Sequence, residues 1–429
     1  MKIKSFYDLA EYSLIKPLDK NNRDIRLYKF RDITLTGLSP YYPDPLFKQD
    51  NEDHLILPLK EMTMSLNRRS YYEESGMNYN YKPFLAKKMI NTLVYYFIYN
   101  TENYFHFIYD TLPYLYCYLQ LRRSLPTLKL LMNYIDNSKS DHLQYIKEAL
   151  ELLGIHSSDI IIHDSNNKYK TIYLSSSLTH NGISNSPPRE ELFQIYNQMI
   201  SSAREQYNKE QNNKNSKDNK PALQLYDKIY VSRRTGNGRS NLSNIGTNYT
   251  NRRRLMNEDQ LVDRLSEHGF KEIFGENYSF LQKVILFNSA KEVVGAIGGT
   301  IINTLFCKDD CKITCLVSPD FLRVNERIKF PLLKKNISYF EYTSLGIKGD
   351  QYADNVRVRL LESDQIGEIE SYDKESNSYQ IKLSNGRDVG WSEDKEYEVV
   401  TVKHKQLEPL DYGLNSPWYV HIKEMSRFL

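Results

Sequence analysis

The chain has 429 residues, with 57 Lys and Arg against 54 Asp and Glu, a formal charge of +3. That length holds two or three domains of ordinary size, and so small a net charge argues against a general nucleic-acid binder, so any basic segment must be judged locally. No stretch approaches the roughly eighteen consecutive apolar residues of a membrane span, and residues 1–8 lack the apolar run of a signal peptide, so a chain without a membrane span and in a cytoplasmic setting is expected.

Four cysteines are too few for a disulfide scaffold. Cys307, Cys311 and Cys315 have neither Cys-x-x-Cys spacing nor a nearby His, so free thiols are expected and no metal site. The 35 tyrosines read mainly as a compositional bias.

Residues 26–36 alternate as a strand does, 37–45 form a Pro-rich turn region, and 55–59 make another short strand. Asn103 can cap a helix whose first turns carry His106 and Asp110, four apart and therefore on one face. Pro113 is expected to kink or break that helix early. An imidazole beside a carboxylate can take a proton from an attacking hydroxyl. The same spacing also suits a helix-start histidine bonded to its i+4 carboxylate for structural reasons alone.

Residues 128–178 switch between strand and helix periods: strands at 128–132, 160–162 and 171–174, and a helix at 142–153 ending at Gly154. This predicts a parallel sheet covered on both faces. An amphipathic helix follows at 189–207, with Leu192, Ile195, Met199 and Ala203 at three- and four-residue intervals. Residues 208–221 contain no side chain that could be buried in a core and read as a polar linker.

A second α/β alternation opens with a strand at 229–232. From 228 to 257 there are six arginines (Arg233, Arg234, Arg239, Arg252, Arg253 and Arg254) and no Asp or Glu. Guanidinium forks match phosphate oxygens two at a time. Asn257 is an N-cap candidate for a helix at 258–268. A strand at 292–294 then delivers Gly295, Gly298, Gly299 and Thr300 into a helix at 300–306, a turn whose bare N–H groups suit an anion. Arg cluster and Gly turn together point to a diphosphate. Arg233 and Arg254 could instead pair with Glu258 or Asp259, while Arg239 and Arg252 read as solvated. Glu258 suits ribose hydroxyls or a helix cap, and Asn303 a sugar or phosphate contact or a buried amide.

Strands at 356–361, 366–372, 379–383, 387–391 and 397–402 suggest a small inserted SH3-like or Tudor-like barrel. Its mixed charge does not name a partner. The expected organisation is an N-terminal lobe at 1–207, a linker at 208–221, a C-terminal lobe at 222–349, the small barrel at 350–405, and a closing segment with a C-terminal helix at 406–429.

The blocks Tyr230-Val231-Ser232-Arg233-Arg234, Arg253 to Asp259, and Gly295 to Phe306 resemble, in order, type and spacing, those of glycosyltransferase family 61. Asn103 to Pro113 looks like the family's Asn-x-x-His-x-x-x-Asp-x-x-Pro signature. Ile297 departs from the pattern, because many members carry His there. The family includes bacterial capsular polysaccharide transferases and eukaryotic enzymes that add xylose, arabinose or N-acetylglucosamine.

The resemblance implies a two-lobed, GT-B-like α/β enzyme. It implies inverting transfer from a nucleotide-diphosphate sugar, a UDP-sugar by preference, to a hydroxyl of a glycan or glycoprotein. It makes His106 and Asp110 catalytic candidates, and Arg233, Arg234, Arg254, Asn257, Glu258, Gly298, Gly299, Thr300 and Asn303 donor-binding candidates. Residues 416–428 look like a closing segment that in two-lobed transferases can cross back to the first lobe. The chain contains no Asp-x-Asp, the carboxylate pair with which another glycosyltransferase fold holds a divalent ion, so metal independence and no cofactor are expected. The competing reading is a non-catalytic sugar- or nucleotide-binding scaffold on a degenerate transferase fold. Ile297 favours it; the intact blocks oppose it.

Overall fold

The computed structural model describes residues 2–20, 23–35, 46–49, 53–57, 88–99, 103–133, 140–179, 188–212, 223–232, 255, 257–296, 298–317, 336–341, 347–348, 351–352, 356–383, 398–409, 418, 420 and 422–425. Two compact units divide the chain. The first takes Met1–Ala222, Ser279–Ile285 and Lys329–Pro331, and the second Leu223–Tyr278, Leu286–Ile328 and Leu332–Leu429.

In the first unit ten strands form one sheet: β1 (Lys2–Ser5), β2 (Glu11–Lys16), β3 (Ile25–Leu35), β4 (Leu46–Gln49), β5 (Asp53–Leu57), β6 (Lys88–Ile90), β7 (Val94–Tyr96), β8 (Lys129–Met132), β9 (Ile160–Ile162) and β10 (Asn167–Ser175). They run in the order β1-β5-β4-β3-β10-β7-β8-β9, with β2 added to β3 and β6 to β10. Strands β7 to β10 pair in parallel, as the alternation predicts. The sheet as a whole is mixed, which corrects the expected all-parallel one. The long β3 runs antiparallel to β10, from Lys168↔Thr34 to Ser175↔Leu27, and carries β2 and β4 with it. Periodicity within 128–178 could not report a partner strand so far back in the chain.

Its helices are α1 (Phe6–Leu9), a single turn α2 (Tyr104–His106), α3 (Leu115–Ser124), α4 (Ser140–Leu152) and α5 (Leu192–Asn212). Gly154 follows α4 at φ +71°, the left-handed exit a helix end favours. On α5 the predicted stripe Leu192, Ile195, Met199 and Ala203 is buried, and Tyr196 with it. The helix runs on into the expected linker as far as Asn212. Lys, Glu and Gln cannot build a core but are good helix formers, and Lys209 sits 2.6 Å from Glu205 one turn back. The rest of that linker and the turn at 37–45 lie outside the described residues.

The second unit is built on five parallel strands: β11 (Lys228–Val231), β12 (Lys271–Ile273), β13 (Glu292–Ala296), β14 (Lys312–Val317) and β15 (Asn336–Glu341). Their order is β12-β11-β13-β14-β15. From β11 the chain passes through α6 (Glu258–Glu267) to β12 on one side, then through α7 (Phe280–Ser289) to β13 on the other. That reversal is the topological switch point of a doubly wound sheet, the place where such sheets leave a crevice at their strand carboxyl ends. Residues of α7 up to Ile285 group with the first unit.

One face of this sheet presents Tyr230, Val294, Ala296 and Leu316. They pack with Leu261 and Leu265 of α6 and with Trp418, Val420 and Met425. The C-terminal segment, including α8 (Ile422–Met425), therefore belongs to this unit's core, tied further by a bridge between Leu255 and Trp418. The apolar side chains of 418–425 complete the stripe that Leu261 and Leu265 leave open, and burial there is what holds the segment.

Beyond a hairpin of β16 (Ile347–Lys348) and β17 (Gln351–Tyr352), the strands β18 (Arg357–Leu360), β19 (Ile366–Asp373), β20 (Ser378–Leu383), β21 (Val399–Lys403) and β22 (Leu407–Pro409) form an antiparallel sheet. Its order is β21-β20-β19-β18-β22. Among the described residues β21 and β22 do not pair with each other, and no closed barrel is formed by these strands alone. The expected strand at 387–391 lies outside the described residues. The turn at 373–377 forms as expected: Asp373 accepts from Glu375 N–H and the Ser376 hydroxyl, and Asn377 takes φ +49°.

Candidate active site

In the first unit the chain leaves the carboxyl end of β7 and enters the block that carries His106. The Asn103 side chain caps the turn, accepting from His106 N–H at 3.2 Å. Nδ1 of His106 lies 2.5 Å from Oδ2 of Asp110. The side chains are 13% and 7% exposed, so one edge of the imidazole is reachable while the carboxylate is almost closed off.

Around Pro113 the helix is interrupted as a kink or break would have it, by a change of register that keeps the chain turning. Phe107–Thr111 widen into a π-turn and Leu112–Tyr114 tighten into a 3-10 turn that leads into α3. The missing N–H of Pro113 is absorbed by this change of register, and such wide turns recur at functional sites. Each fixed residue of the block thus has a structural task. Asn103 starts the turn, Asp110 faces His106, and Pro113 imposes the switch.

An ionised carboxylate can only accept, so Nδ1 is the donor of this bond, and in the neutral imidazole the lone pair then lies on Nε2. A histidine held in that tautomer by a buried carboxylate is built to take a proton at Nε2. Behind it stands a layer of tyrosines. Tyr99 stacks on Tyr114 at 4.0 Å, and the Tyr95 hydroxyl reaches the Tyr114 carbonyl and Ser175. Tyr196 donates to the Ile108 carbonyl at 2.7 Å. Burial pushes the Tyr95, Tyr99 and Tyr196 phenols well above their ordinary range, so all three stay neutral, Tyr95 and Tyr196 as donors and Tyr99 in packing.

In the second unit the expected donor blocks come off adjacent strands at the switch point. Val231 lies opposite Gly295 in register. One strand continues into Ser232 and the other into Gly298, Gly299 and Thr300, all three half-buried. Thr300–Phe306 is the expected helix, of the 3-10 type. Gly275 reaches under it so closely that a Cβ would lie 2.6 Å from the Thr300 side chain. Arg233, Arg234, Arg239, Arg252, Arg253, Arg254 and Ile297 lie outside the described residues.

Glu258 is buried, and one of its carboxylate oxygens accepts from both the Tyr230 and the Ser232 hydroxyls at 2.8 Å. It locks the end of β11 to the start of α6. Asn257 makes no side-chain cap; its amide exchanges two bonds with the backbone of Val420, at 2.7 and 3.0 Å. Asn303 is fully buried and donates to the Thr300 carbonyl at 2.7 Å. Of the expected donor contacts, Asn257 and Asn303 thus have side chains engaged within the fold. The Tyr230, Ser232 and Tyr196 hydroxyls were not singled out in the sequence. The only signal for them was a polar tip at a position whose pattern already calls for burial.

Residues 104–314 match the family model described as Glycosyltransferase 61. The matched stretch, which holds every block of the resemblance save Asn103 itself, supports glycosyltransferase family 61, a family of glycosyltransferases that act on a sugar donor and an acceptor. No curated protein matches it. Among the described residues no helix is long and apolar enough to cross a membrane.

Proposed function

We propose that the protein is an inverting, metal-independent glycosyltransferase that moves a sugar from a nucleotide-diphosphate donor, a UDP-sugar by preference, to a hydroxyl of a glycan or glycoprotein. The observation that carries this reading is the His106 to Asp110 pair, an imidazole whose Nδ1 is engaged at 2.5 Å by a nearly buried carboxylate. In this reading Nε2 of His106 takes the proton of the acceptor hydroxyl. The freed oxygen bonds to the anomeric carbon as the bond from that carbon to the diphosphate oxygen breaks, and the electron pair leaves on the diphosphate. Asp110 holds the tautomer and stabilises the imidazolium that forms.

For the leaving group the reading uses Arg233, Arg234 and Arg254, with the backbone N–H groups around Gly298, Gly299 and Thr300. The doubly wound strand order and the register of Val231 with Gly295 support it, because they bring the two blocks' strands to one switch point. Metal independence rests on the absent Asp-x-Asp and on six arginines in a stretch, 228 to 257, that has no Asp or Glu of its own. A GT-B-like arrangement is part of the proposal, supported by two separate α/β units. A cytoplasmic setting fits four buried free thiols.

Thermal-shift measurements against UDP, GDP, CMP and their sugars, with EDTA present, test the donor half. Stabilisation by UDP and UDP-sugars is expected, and no stabilisation by any nucleotide overturns it. For the base, His106→Gln should remove transfer while keeping UDP binding, and a variant with native turnover sinks the assignment.

A further inference from the structure

We propose that Tyr196, on α5, is a positioning residue for the His106 to Asp110 pair and acts through the carbonyl of Ile108. The inference rests on the reading of His106 as the base and adds the group that holds its geometry.

The argument starts from the backbone. In the π-turn the N–H of Leu112 donates to the carbonyl of Phe107, five residues back. The next bond in that register would run from residue 113 to the carbonyl of Ile108, and residue 113 is proline, which has no N–H. In the α-register Ile108 would instead receive the N–H of Leu112, which is already spent on Phe107. Neither register supplies a donor to Ile108, and Ile108 is completely buried, where an unmet carbonyl is costly.

Tyr196 reaches across from α5 and donates its hydroxyl to that carbonyl at 2.7 Å. The ring is fully buried, with Leu192, Ile195 and Met199 around it on the same helix, so the hydroxyl has a fixed aim. Asp110 is close enough to act on the Tyr196 phenol electrostatically. The wide turn therefore has two guarantors: Pro113, which forbids the local bond, and Tyr196, which replaces it from another element. Without the hydroxyl the cheapest repair is for Leu112 to move its N–H to Ile108. That step returns the turn to α-register and rotates Asp110 relative to His106.

The test is Tyr196→Phe in the full chain, which keeps the ring and removes the donor. The readout is the ring-nitrogen chemical shifts of His106 in long-range ¹H–¹⁵N spectra, assigned by their loss in His106→Gln. Native protein should show one tautomer with the proton on Nδ1, and Tyr196→Phe a mixture. Turnover should fall by about ten- to a hundredfold, with KM for the donor little changed. Met199→Ala, which weakens the same helix face without touching Ile108, should leave the His106 shifts as in native protein. Native-like shifts in Tyr196→Phe, or an equal disturbance in Met199→Ala, overturn the proposal. If His106→Gln proves fully active, the base assignment fails, while the shifts still decide whether Tyr196 orients the pair.

Discussion

Val231 and Gly295 stand opposite each other on the parallel strands β11 and β13, and there is no room for a side chain at 295. A Cβ there would lie 2.9 Å from the Val231 Cβ and 2.9 Å from Cδ1 of Ile301. Gly295 thereby lets two strands and the 3-10 turn close on one another just before each strand hands the chain to a candidate donor block.

Gly295→Ala should consequently push β11 off β13. The expected loss is about 1–3 kcal/mol of stability, the usual range for overpacking a core, together with weaker UDP binding. Gly299, where a Cβ meets nothing within 4 Å, is the internal comparison, and Gly299→Ala should leave the melting temperature unchanged. Melting curves of the two variants side by side settle it; equal behaviour would mean that the close approach is not what the glycine provides.

Glu258 accepts two buried hydroxyls on one oxygen. Replacing it with Ala leaves both donors without their acceptor, and a loss of about 1–3 kcal/mol is expected. Glu258→Gln retains an oxygen at that place and should cost less. Thermal unfolding of the three proteins tests the ordering, and an alanine variant as stable as the glutamine variant would contradict it.

The Asn257 amide is the polar clasp on the C-terminal segment, bonded both ways to the Val420 backbone. In Asn257→Ala, Trp418 and Met425 keep their apolar burial but lose that clasp. Hydrogen exchange at 418–425 should accelerate well before the rest of the second unit does. Unchanged exchange there would show that burial alone retains the segment.

Arg189 grips Glu191 with two bonds, at 2.9 and 2.7 Å, while also donating to the Pro17 carbonyl. Those bonds hold the Glu191 carboxyl below its ordinary value of 4.5. A carboxylate whose folded value is depressed contributes stability above the unfolded value, and that contribution drains away as pH falls through the folded one. The native melting temperature should therefore drop as pH is lowered below about 4.5. Glu191→Gln should begin lower at neutral pH and fall less steeply with acid. Parallel acid limbs in the two proteins would remove Glu191 from the account.

Much of the architecture was legible in advance. The strands at β3, β8, β11 and β13, the helices α4 to α6, and the helix end at Gly154 follow from period and end signals that act within a few residues. The Asn103, His106, Asp110 and Pro113 spacing likewise carried the proximity of imidazole and carboxylate. It did not carry the π-turn, because a helical spacing cannot reveal which carbonyl a distant tyrosine will satisfy.

What the chain determined by itself was local: which segments bury a face, where helices begin and end, and which residue types bear the chemistry and in what order. What only the tertiary structure decided was pairing at a distance. It set β3 against β10, docked 418–425 onto α6, turned Asn257 toward Val420 and bound Glu258 between two hydroxyls. Those choices depend on which buried polar group finds a partner and which apolar stripe finds a cover, and neither is a property of any one segment.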